Sequence, residues 1–290
     1  MSRESVFEPR QQRRYLVGRI FSTLFFAATL VGVAVLAVLL IDILQTGAAH
    51  LSTDFVRNNA SRLPSRAGIW PAFIGSLWIM GLTAALSFPL GIATAIWLEE
   101  YAGRNWFTRV IETNIANLAA VPSIVYGILG LAVFVRWMGL GESLLAGALT
   151  LMLLILPVII IAGQEAIRAV PNSIRLAAYA LGATRWQTVR TQILPMAMPG
   201  IMTGTILALS RAVGETAPLI VIGAAAFVSF TPDSPMDRFT VLPFQIFNWI
   251  SRPQPEFHEI AATAIIVLLA ILLTFNLIAI LIRNRYTGRS

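Results

Sequence analysis

Cysteine and lysine are both absent from the sequence, and each absence removes a class of chemistry. Without cysteine the chain forms no disulfide, no thiolate metal site and no cysteine nucleophile. Without lysine it carries no P-loop, because that phosphate-binding motif depends on its lysine; all 21 basic residues are arginine. If a nucleotide drives the activity of this protein, another chain must bind that nucleotide.

Charge is scarce as well. Only 12% of the residues are charged and 57% are hydrophobic, with a mean hydropathy of +0.76, whereas soluble domains carry about 25% charged residues. This composition is typical of a protein that crosses a membrane several times. The pI of about 10.9 could indicate a nucleic-acid partner, but the arginines flank apolar runs, so membrane topology explains them better and no nucleic acid is expected. The two histidines, His50 and His258, lie far apart, and the sequence shows no metal-binding cluster or nucleophile elbow.

Six apolar segments are long enough to cross a bilayer as helices, which takes about 20 residues. They are Ile20–Leu44, Trp70–Leu98, Thr113–Val135, Leu144–Gln164, Gly200–Phe227 and Ile260–Ile282. The first is too long for the core of a signal peptide, and we expect it to be retained. The expected fold is all-α, a polytopic membrane protein with six transmembrane helices embedded in lipid.

The arginines are distributed unevenly between the loops, and this predicts the orientation. On the side of both termini lie 14 arginines: Arg3, Arg10, Arg13, Arg14, Arg19, Arg104, Arg109, Arg168, Arg175, Arg185, Arg190, Arg283, Arg285 and Arg289. On the other side lie six: Arg57, Arg62, Arg66, Arg136, Arg238 and Arg252. The positive-inside rule therefore predicts that both termini are cytoplasmic. The chain is predicted to divide into a tail over 1–19, a first helix and external loop over 20–69, the main transmembrane domain over 70–282 and a second tail over 283–290.

One loop on the predicted cytoplasmic side, about residues 165–199, is moderately polar and contains the stretch RLAAYALGATRWQTVRTQILP, from Arg175 to Pro195. Pro171-Asn172-Ser173 predicts a helix start with a capping side chain, and Gly182 predicts a helix end. A second short helix is expected before Pro195. The loop would then be a compact pair of helices that faces water, although spacing alone fits an ordinary interfacial loop as well.

The spacing within this loop closely resembles the EAA signature of ABC importer permeases. That pattern is Glu-Ala-Ala, three residues, Gly, nine residues, Ile, one residue, Leu-Pro; the residues that match it are Ala177, Ala178, Gly182, Leu194 and Pro195. Leu176 replaces the Glu, and Gln192 replaces the Ile. The resemblance implies that the loop docks on a separate ATPase subunit and couples hydrolysis to transport. A Glu at 176 would form a capping box with Ser173, so Leu176 predicts a helix start weaker by roughly 1 kcal/mol.

Further stretches resemble the PstA-type permeases of bacterial phosphate importers: FPLGIATAIWLEEYA, VPSIVYGILGLAVF, ALGATRWQTV, SRAVGETAPL and VLPFQIFNWISRPQ. The resemblance covers the chain from about Trp70 onward and implies a type I ABC importer permease core in the bacterial inner membrane. It also implies three partners: an ATP-binding subunit (PstB-like), a second permease subunit (PstC-like) and a periplasmic phosphate-binding protein (PstS-like). The chain itself would have no catalytic residue and no cofactor, since ATP and Mg would be used by the partner ATPase.

Two charged residues, Arg211 and Glu215, lie near the middle of the fifth predicted span, where a charge costs about 2.5–3.5 kcal/mol to insert. Their i,i+4 spacing places them on one helix face, and Gly214 and Pro218 loosen the same turn. The resemblance assigns the pair to the translocation path. Arginine binds oxyanions through a planar fork, and the carboxylate could neutralise it in an empty path or accept the proton that hydrogen phosphate carries. A structural salt bridge that holds helices together is the alternative.

Three other features are less informative. Arg57, Arg62 and Arg66 lie in a predicted external loop, where they either attract anions or a binding protein or form a solvated face. VLPFQIFNWI is too short to span, so we expect it in the membrane interface or as a re-entrant segment, with Trp249 in an aromatic belt. Glu99 and Glu100 are expected only to mark the cytoplasmic surface.

The sequence thus leaves three functions open. A permease subunit of an ATP-driven phosphate importer is the leading interpretation, and an ABC permease for another oxyanion or a polar solute is the second. A stand-alone channel or secondary carrier is the third. The polar EAA-like loop argues against it, as does the lack of a second inverted charged element within the membrane.

Overall fold

The structure is a computed structural model that describes residues 11–103, 105–224, 228 and 230–287. Within these ranges the chain is almost entirely helical. The helices are α1 Gln11–Gly47, α2 Thr53–Arg57, α3 Trp70–Ile96, α4 Trp106–Ala119, α5 Ser123–Gly130, α6 Leu144–Arg168, α7 Asn172–Ala180, α8 Arg185–Thr188, α9 Leu194–Val213, α10 Ala217–Ile222, α11 Leu242–Ile250 and α12 Pro255–Thr287. Wider π-helical turns continue α3 over Trp97–Tyr101, α5 over Leu131–Trp137 and α8 over Val189–Ile193. Arg3, Arg10, Arg104, Arg289 and the predicted end of the fifth span at 225–227 lie outside the described residues.

Among the described residues, five helical runs are long and apolar enough to cross a membrane, and a sixth crossing is available from a bent pair. The five are Arg14–His50, Trp70–Tyr101, Leu144–Arg168, Arg185–Val213 and Pro255–Arg285. The spans expected at Trp70–Leu98, Leu144–Gln164 and Ile260–Ile282 each lie inside one of these runs. In this all-α bundle α6 is the central helix, packed against α3, α4, α5 and α9.

The third expected span, Thr113–Val135, is wrong as a single helix. It is divided into α4 and α5, whose axes differ by 105°. The break lies at Pro122, which lacks an N–H and disfavours helix in the residue before it. Tyr126 bridges the break, because its hydroxyl donates to the Leu118 carbonyl at 2.8 Å; the same carbonyl accepts the Val121 N–H at 3.1 Å.

The bent pair still carries the chain from one end of the bundle to the other. Ile115 of α4 packs with Ile160 near the end of α6. Phe134, which follows α5, packs with Ala146 near the start of α6. We call the end of the bundle where α6 finishes the α7 end, and the end where α6 begins the α11 end, after the short helices that lie there.

The fifth expected span, Gly200–Phe227, also has different bounds. The helix already begins at Arg185 and runs without interruption to Val213, so the second short helix expected in the loop is the first part of this long one. The π-helical turn that precedes Pro195 accommodates the proline, whose ring would clash with a regular α-helical turn. The expected loosening beyond Arg211 is confirmed: α9 ends at Val213, and α10 restarts at Ala217.

At the α11 end a separate apolar cluster joins α2, α3, α11 and α12. Trp249 is 0% exposed there, with its ring centroid 6.1 Å from that of Phe55. The expectation that Trp249 belongs to an aromatic belt is therefore wrong, because α2 and the start of α12 cover the indole. α11 is fixed to α3 by the Leu242 N–H, which donates to the Ser76 Oγ at 2.9 Å.

α1 differs from the other long helices, because its apolar side chains are exposed along almost its whole length. Its close attachment is at Gly47, whose carbonyl accepts a hydrogen bond from the Thr263 hydroxyl of α12 at 2.9 Å. A Cβ at position 47 would lie 2.7 Å from the backbone of Ala262, so the attachment requires glycine. A helix that is apolar on all sides needs lipid or another protein around it.

Candidate coupling loop and charged pair

The loop between α6 and α9 begins with α7, but not in the expected way. Pro171 occupies the N-cap, and no side chain caps the first turn. The expectation of a capping side chain from Asn172 or Ser173 is wrong, since both residues already lie inside the helix. A capping box between Ser173 and position 176 is excluded by the same register, so Leu176 carries no penalty of that kind.

The end of α7 is formed as expected, by Gly182. Its φ of +81° is in the left-handed region, which glycine adopts without a Cβ penalty. The Ala183 N–H donates to the Ala178 carbonyl at 3.1 Å, and the Gly182 N–H donates to the Tyr179 carbonyl at 2.9 Å. These two bonds form a Schellman motif. No atom lies within 4 Å of a Cβ at 182, so backbone conformation and not space requires the glycine.

A capping box that the sequence reasoning missed starts the next helix. The Thr184 Oγ1 accepts from the Gln187 N–H at 3.3 Å, and the Thr184 N–H donates to the Gln187 Oε1 at 2.8 Å. The Thr-x-x-Gln spacing in ATRWQT is the signal that predicts it. The turn between α7 and α8 is thus fixed on both sides, by Gly182 and by Thr184.

The five residues expected to couple to an ATPase fall into two groups. Ala177, Ala178 and Gly182 belong to α7 and its final turn, where Ala178 is half-buried and the other two are exposed. Leu194 and Pro195 belong to the start of α9, where Leu194 packs on an apolar cluster and Pro195 is exposed.

The loop also exposes large apolar side chains. Leu181 is 89% exposed and Leu176 is 68% exposed, and Trp186 is exposed beside them in sequence. An apolar surface of this kind on a polar loop marks a contact with another protein or with the membrane.

Three consecutive residues at the end of α3 hold this loop, and the sequence reasoning assigned them no such role. Glu99 pairs with Arg168 at the end of α6, and its Oε1 also accepts from the Gln164 Nε2 at 3.3 Å. Tyr101 lies under Arg185 of α8, with 5.6 Å from the guanidinium carbon to the ring centroid. A cation over an aromatic face contributes about 0.5–1 kcal/mol at an exposed site.

Between these two contacts Glu100 pairs with Arg175 of α7. The Glu100 Oε1 accepts from Arg175 Nη2 at 2.8 Å and from Arg175 Nε at 3.1 Å. The side chains are only 6% and 15% exposed, respectively. The only hint in the sequence is that the stretch from Arg175 to Pro195 holds three arginines and no acidic residue, while EEY ends an apolar span.

The charged pair expected in the fifth span is formed. The Arg211 Nε lies 3.3 Å from the Glu215 Oε1, and the side chains are 56% and 16% exposed, respectively. Arg211 lies in the last turn of α9, where the negative end of the helix dipole favours a cation. Glu215 follows in the break between α9 and α10. Both partners belong to one short segment, so the pair does not tie two separate helices of this chain together.

A polar contact one residue earlier does join two long helices. The Ser210 Oγ lies 2.5 Å from the Asn276 Oδ1 of α12 and 2.7 Å from the Ile206 carbonyl. The sequence reasoning missed Asn276, which interrupts the apolar run of the last span. Together with Arg211 and Glu215 it concentrates polar groups around the end of α9.

The segment that follows the pair is packed tightly on α5. A Cβ at Gly127 would lie 2.7 Å from the Pro218 Cα, so α5 and α10 are in backbone contact. This contact joins two of the stretches picked out in the sequence, VPSIVYGILG and RAVGETAPL. Beyond α10 the chain reaches the α11 end, where Arg238 pairs with Glu142 and where Arg57, Arg62 and Arg66 are exposed.

Comparison with known proteins identifies relatives over most of the chain. A family model described as "Binding-protein-dependent transport system inner membrane component" matches residues 87–287. The phosphate transport system permease protein PstA 1 of Mycobacterium tuberculosis is 34% identical, with 98% of this chain and 94% of that protein covered. The probable ABC transporter permease protein YqgI of Bacillus subtilis is 33% identical, with 92% of this chain and 95% of that protein covered.

Solved structures of transporter subunits have the same fold. A chain of a bacterial ABC transporter involved in the import of alginate superimposes with a TM-score of 0.60 at 15% identity, covering 97% of this chain and 99% of that chain. A chain of the inward-facing MetNI methionine ABC transporter gives a TM-score of 0.58 at 18% identity, covering 76% of this chain and 94% of that chain. Sequence identities this low carry information on the fold alone.

Proposed function

This chain belongs to the family of binding-protein-dependent transport system inner membrane components, and from this membership we propose that it is a permease subunit of an ATP-driven phosphate importer. We choose phosphate as the substrate because the chain is similar over nearly its full length to the mycobacterial phosphate permease. The fold agrees, because the chain superimposes on membrane chains of ABC importers over most of its length.

The translocation path is proposed to run past Arg211 and Glu215. The arginine is more than half exposed although it lies in an apolar helical run, and a charge in such a place is tolerated when it faces a cavity or another subunit. Arg211 offers its guanidinium fork to the oxyanion. Glu215 neutralises the arginine between transport events and accepts a hydrogen bond from the hydroxyl of hydrogen phosphate.

The α7 end is proposed to face the cytoplasm together with both termini, in line with the arginine distribution. There the loop around Ala177, Ala178, Gly182, Leu194 and Pro195 would dock on the ATPase subunit. The exposed Leu176 and Leu181 supply apolar surface for that contact. ATP and Mg are bound and used by the ATPase and not by this chain.

The complete importer is proposed to contain an ATP-binding subunit of the PstB type, a second permease of the PstC type and a periplasmic phosphate-binding protein of the PstS type. The second permease would cover the exposed face of Arg211 and so complete the path.

Uptake by the reconstituted complex tests this function. The four proteins are placed in proteoliposomes with ATP inside, and entry of labelled phosphate is measured with sulfate as competitor. We expect uptake that requires the binding protein and a hydrolysis-competent ATPase, and that excess sulfate leaves unchanged. ATP-dependent uptake of another solute in place of phosphate would favour the second interpretation. Flux through this chain without any ATPase would favour a channel or carrier.

A further inference from the structure

We propose that Glu100 and Arg175 form the link through which movement of the loop reaches the transmembrane helices. The link joins α7, on the loop, to the last turn of α3, a span that runs the length of the bundle. The inference rests on the proposed function, because it presumes that an ATPase moves the loop. It assigns positioning roles to two residues, of which one lies outside the loop altogether.

Burial distinguishes this ion pair from the others at the α7 end. Glu100 and Arg175 are 6% and 15% exposed, whereas the Arg168 side chain that pairs with Glu99 is 56% exposed. An exposed pair contributes little and is screened by salt. Breaking a buried pair leaves an uncompensated charge and is strongly unfavourable. The Glu100–Arg175 link therefore resists separation of the two helices.

Arg175 also fastens α7 to the end of α6. Its Nη1 donates to the Val170 carbonyl at 2.6 Å, and its Nη2 donates to the Ile167 carbonyl at 2.9 Å. Ile167 lies in the last turn of α6 and Val170 just beyond it, so the guanidinium binds where the helix ends; the Ile167 carbonyl also accepts the Val170 N–H at 3.2 Å. One guanidinium thus joins α7, α6 and α3, a task that needs its planar array of donors and that lysine cannot perform.

α7 has no comparable apolar anchor. None of its apolar side chains is buried, so apolar packing alone does not tie it to the bundle. α3, in contrast, packs against α6 and α9, and near its start Ser76 contacts α11. A displacement of α7 is therefore passed by the Glu100–Arg175 link to α3, and by α3 to the opposite end of the bundle.

Transport per ATP tests the link in the full complex. Glu100→Gln and Arg175→Gln are compared with Glu165→Gln, a control that removes an exposed carboxylate at the same end. We expect each test variant to bind the ATPase and to hydrolyse ATP, while phosphate moved per ATP falls by about five- to tenfold, within the range by which residues on a coupling path alter it. The double variant should lose no more than Arg175→Gln alone, because Glu100 acts through its contact with Arg175.

Unchanged phosphate per ATP in both single variants would overturn the proposal. Loss of ATPase binding would overturn it as well, because the residues would then serve docking. If Glu100→Gln does not assemble, Glu100→Asp is measured in its place, since it keeps the charge but withdraws the carboxylate from Arg175. Unchanged phosphate per ATP in Glu100→Asp, or loss of ATPase binding by it, would then overturn the proposal.

A distance measurement separates the link from the identity of the substrate. The chain contains no cysteine, so spin labels are introduced directly by Trp97→Cys on α3 and Ser173→Cys on α7, both exposed positions. With the link intact, we expect the same distance between the labels with and without trapped nucleotide. With Glu100→Gln added, we expect that distance to change with nucleotide.

The distance is thus measured with the link intact and with Glu100→Gln, each with and without trapped nucleotide. Equal distances in these four states would overturn the link. If the labels behave as expected but the complex moves no phosphate, the link stands and the phosphate assignment is wrong.

Discussion

Arg211 and Glu215 contact each other at 3.3 Å across the turn in which α9 ends, and neither reaches another long helix of the chain through an ion pair among the described residues. A salt bridge with a scaffold role would be expected to join two elements. This one is contained in a single segment and leaves the arginine more than half exposed. The geometry therefore favours a role at a surface that a substrate or a second subunit completes.

Replacement of both Arg211 and Glu215 separates a role in transport from a purely structural role. Arg211→Met with Glu215→Leu removes the charges together, which is often neutral or stabilising when a buried pair serves only structure. We expect the double variant to assemble with its ATPase and still fail to take up phosphate. Arg211→Lys keeps the charge but loses the fork, so uptake should fall and not recover. Robust phosphate uptake by the double variant, in cells that lack every other phosphate transporter, would exclude the proposed role.

A bulky residue at position 182 should disconnect the loop from its ATPase. Gly182→Leu forces a side chain into the left-handed region at roughly 1–2 kcal/mol, whereas Gly182→Asn tolerates that conformation. We expect normal insertion of both variants, with loss of ATPase co-purification only for leucine. Gly141→Leu is the matched control, since Gly141 also has a positive φ, +64°, and open space around it. A Gly182→Leu complex that transports normally would show that this turn is not the coupling element.

The residue at 176 should matter little for the stability of α7. Restoring the family residue with Leu176→Glu places a carboxylate at an exposed position, away from the N-cap, so the stability should change by no more than about 0.5 kcal/mol. Transport is expected to stay the same or the ATPase to bind slightly more tightly. Thermal unfolding and ATPase co-purification measure the two effects. A gain in stability above 1 kcal/mol would indicate that a capping box forms after all.

The close contact between α5 and α10 should not tolerate a methyl group. Gly127→Ala places a Cβ 2.7 Å from the Pro218 Cα, and we expect it to destabilise the protein by about 1–3 kcal/mol. Gly81→Ala is the control, because a Cβ there meets nothing within 4 Å and replacing a helical glycine stabilises by roughly 0.5–1 kcal/mol. Melting of the two purified variants in detergent should move in opposite directions. A Gly127→Ala variant that melts like the Gly81→Ala variant would contradict the contact.

Topology reporters test the orientation. Reporters inserted after His50 and near Pro235 should be periplasmic, and one near Gly182 should be cytoplasmic, because of the arginine asymmetry. A reporter at Ser290, which lies outside the described residues, is expected to be cytoplasmic as well. A cytoplasmic signal at Pro235 would mean that the segment containing Arg211 and Glu215 does not cross the membrane.

Length and apolarity alone predicted α3, α6 and α12, because each is one long run that only lipid or protein interior can cover. They did not predict the break at Pro122, since the residues on both sides are apolar and a hydropathy pattern continues across a bend. The partner of Arg175 was hidden for another reason. Glu100 lies 75 residues earlier in the chain, and a contact at that separation depends on how α3 and α6 pack. Trp249 was misplaced because its burial depends on α2, a five-residue helix with little signal of its own.

The long first helix has a geometric consequence for the membrane itself. Between Arg19 and Asp42 it carries no charge, and at 1.5 Å per residue this stretch is about 34 Å long. The hydrocarbon layer is about 30 Å thick, so an upright α1 would push uncharged side chains into the headgroups. A tilt of roughly 30° removes that mismatch. Because the tight backbone contact of α1 with α12 lies at Gly47, the last residue of the helix, bilayer thickness should set the tilt of α1, and a thicker bilayer should bring the helix closer to the membrane normal.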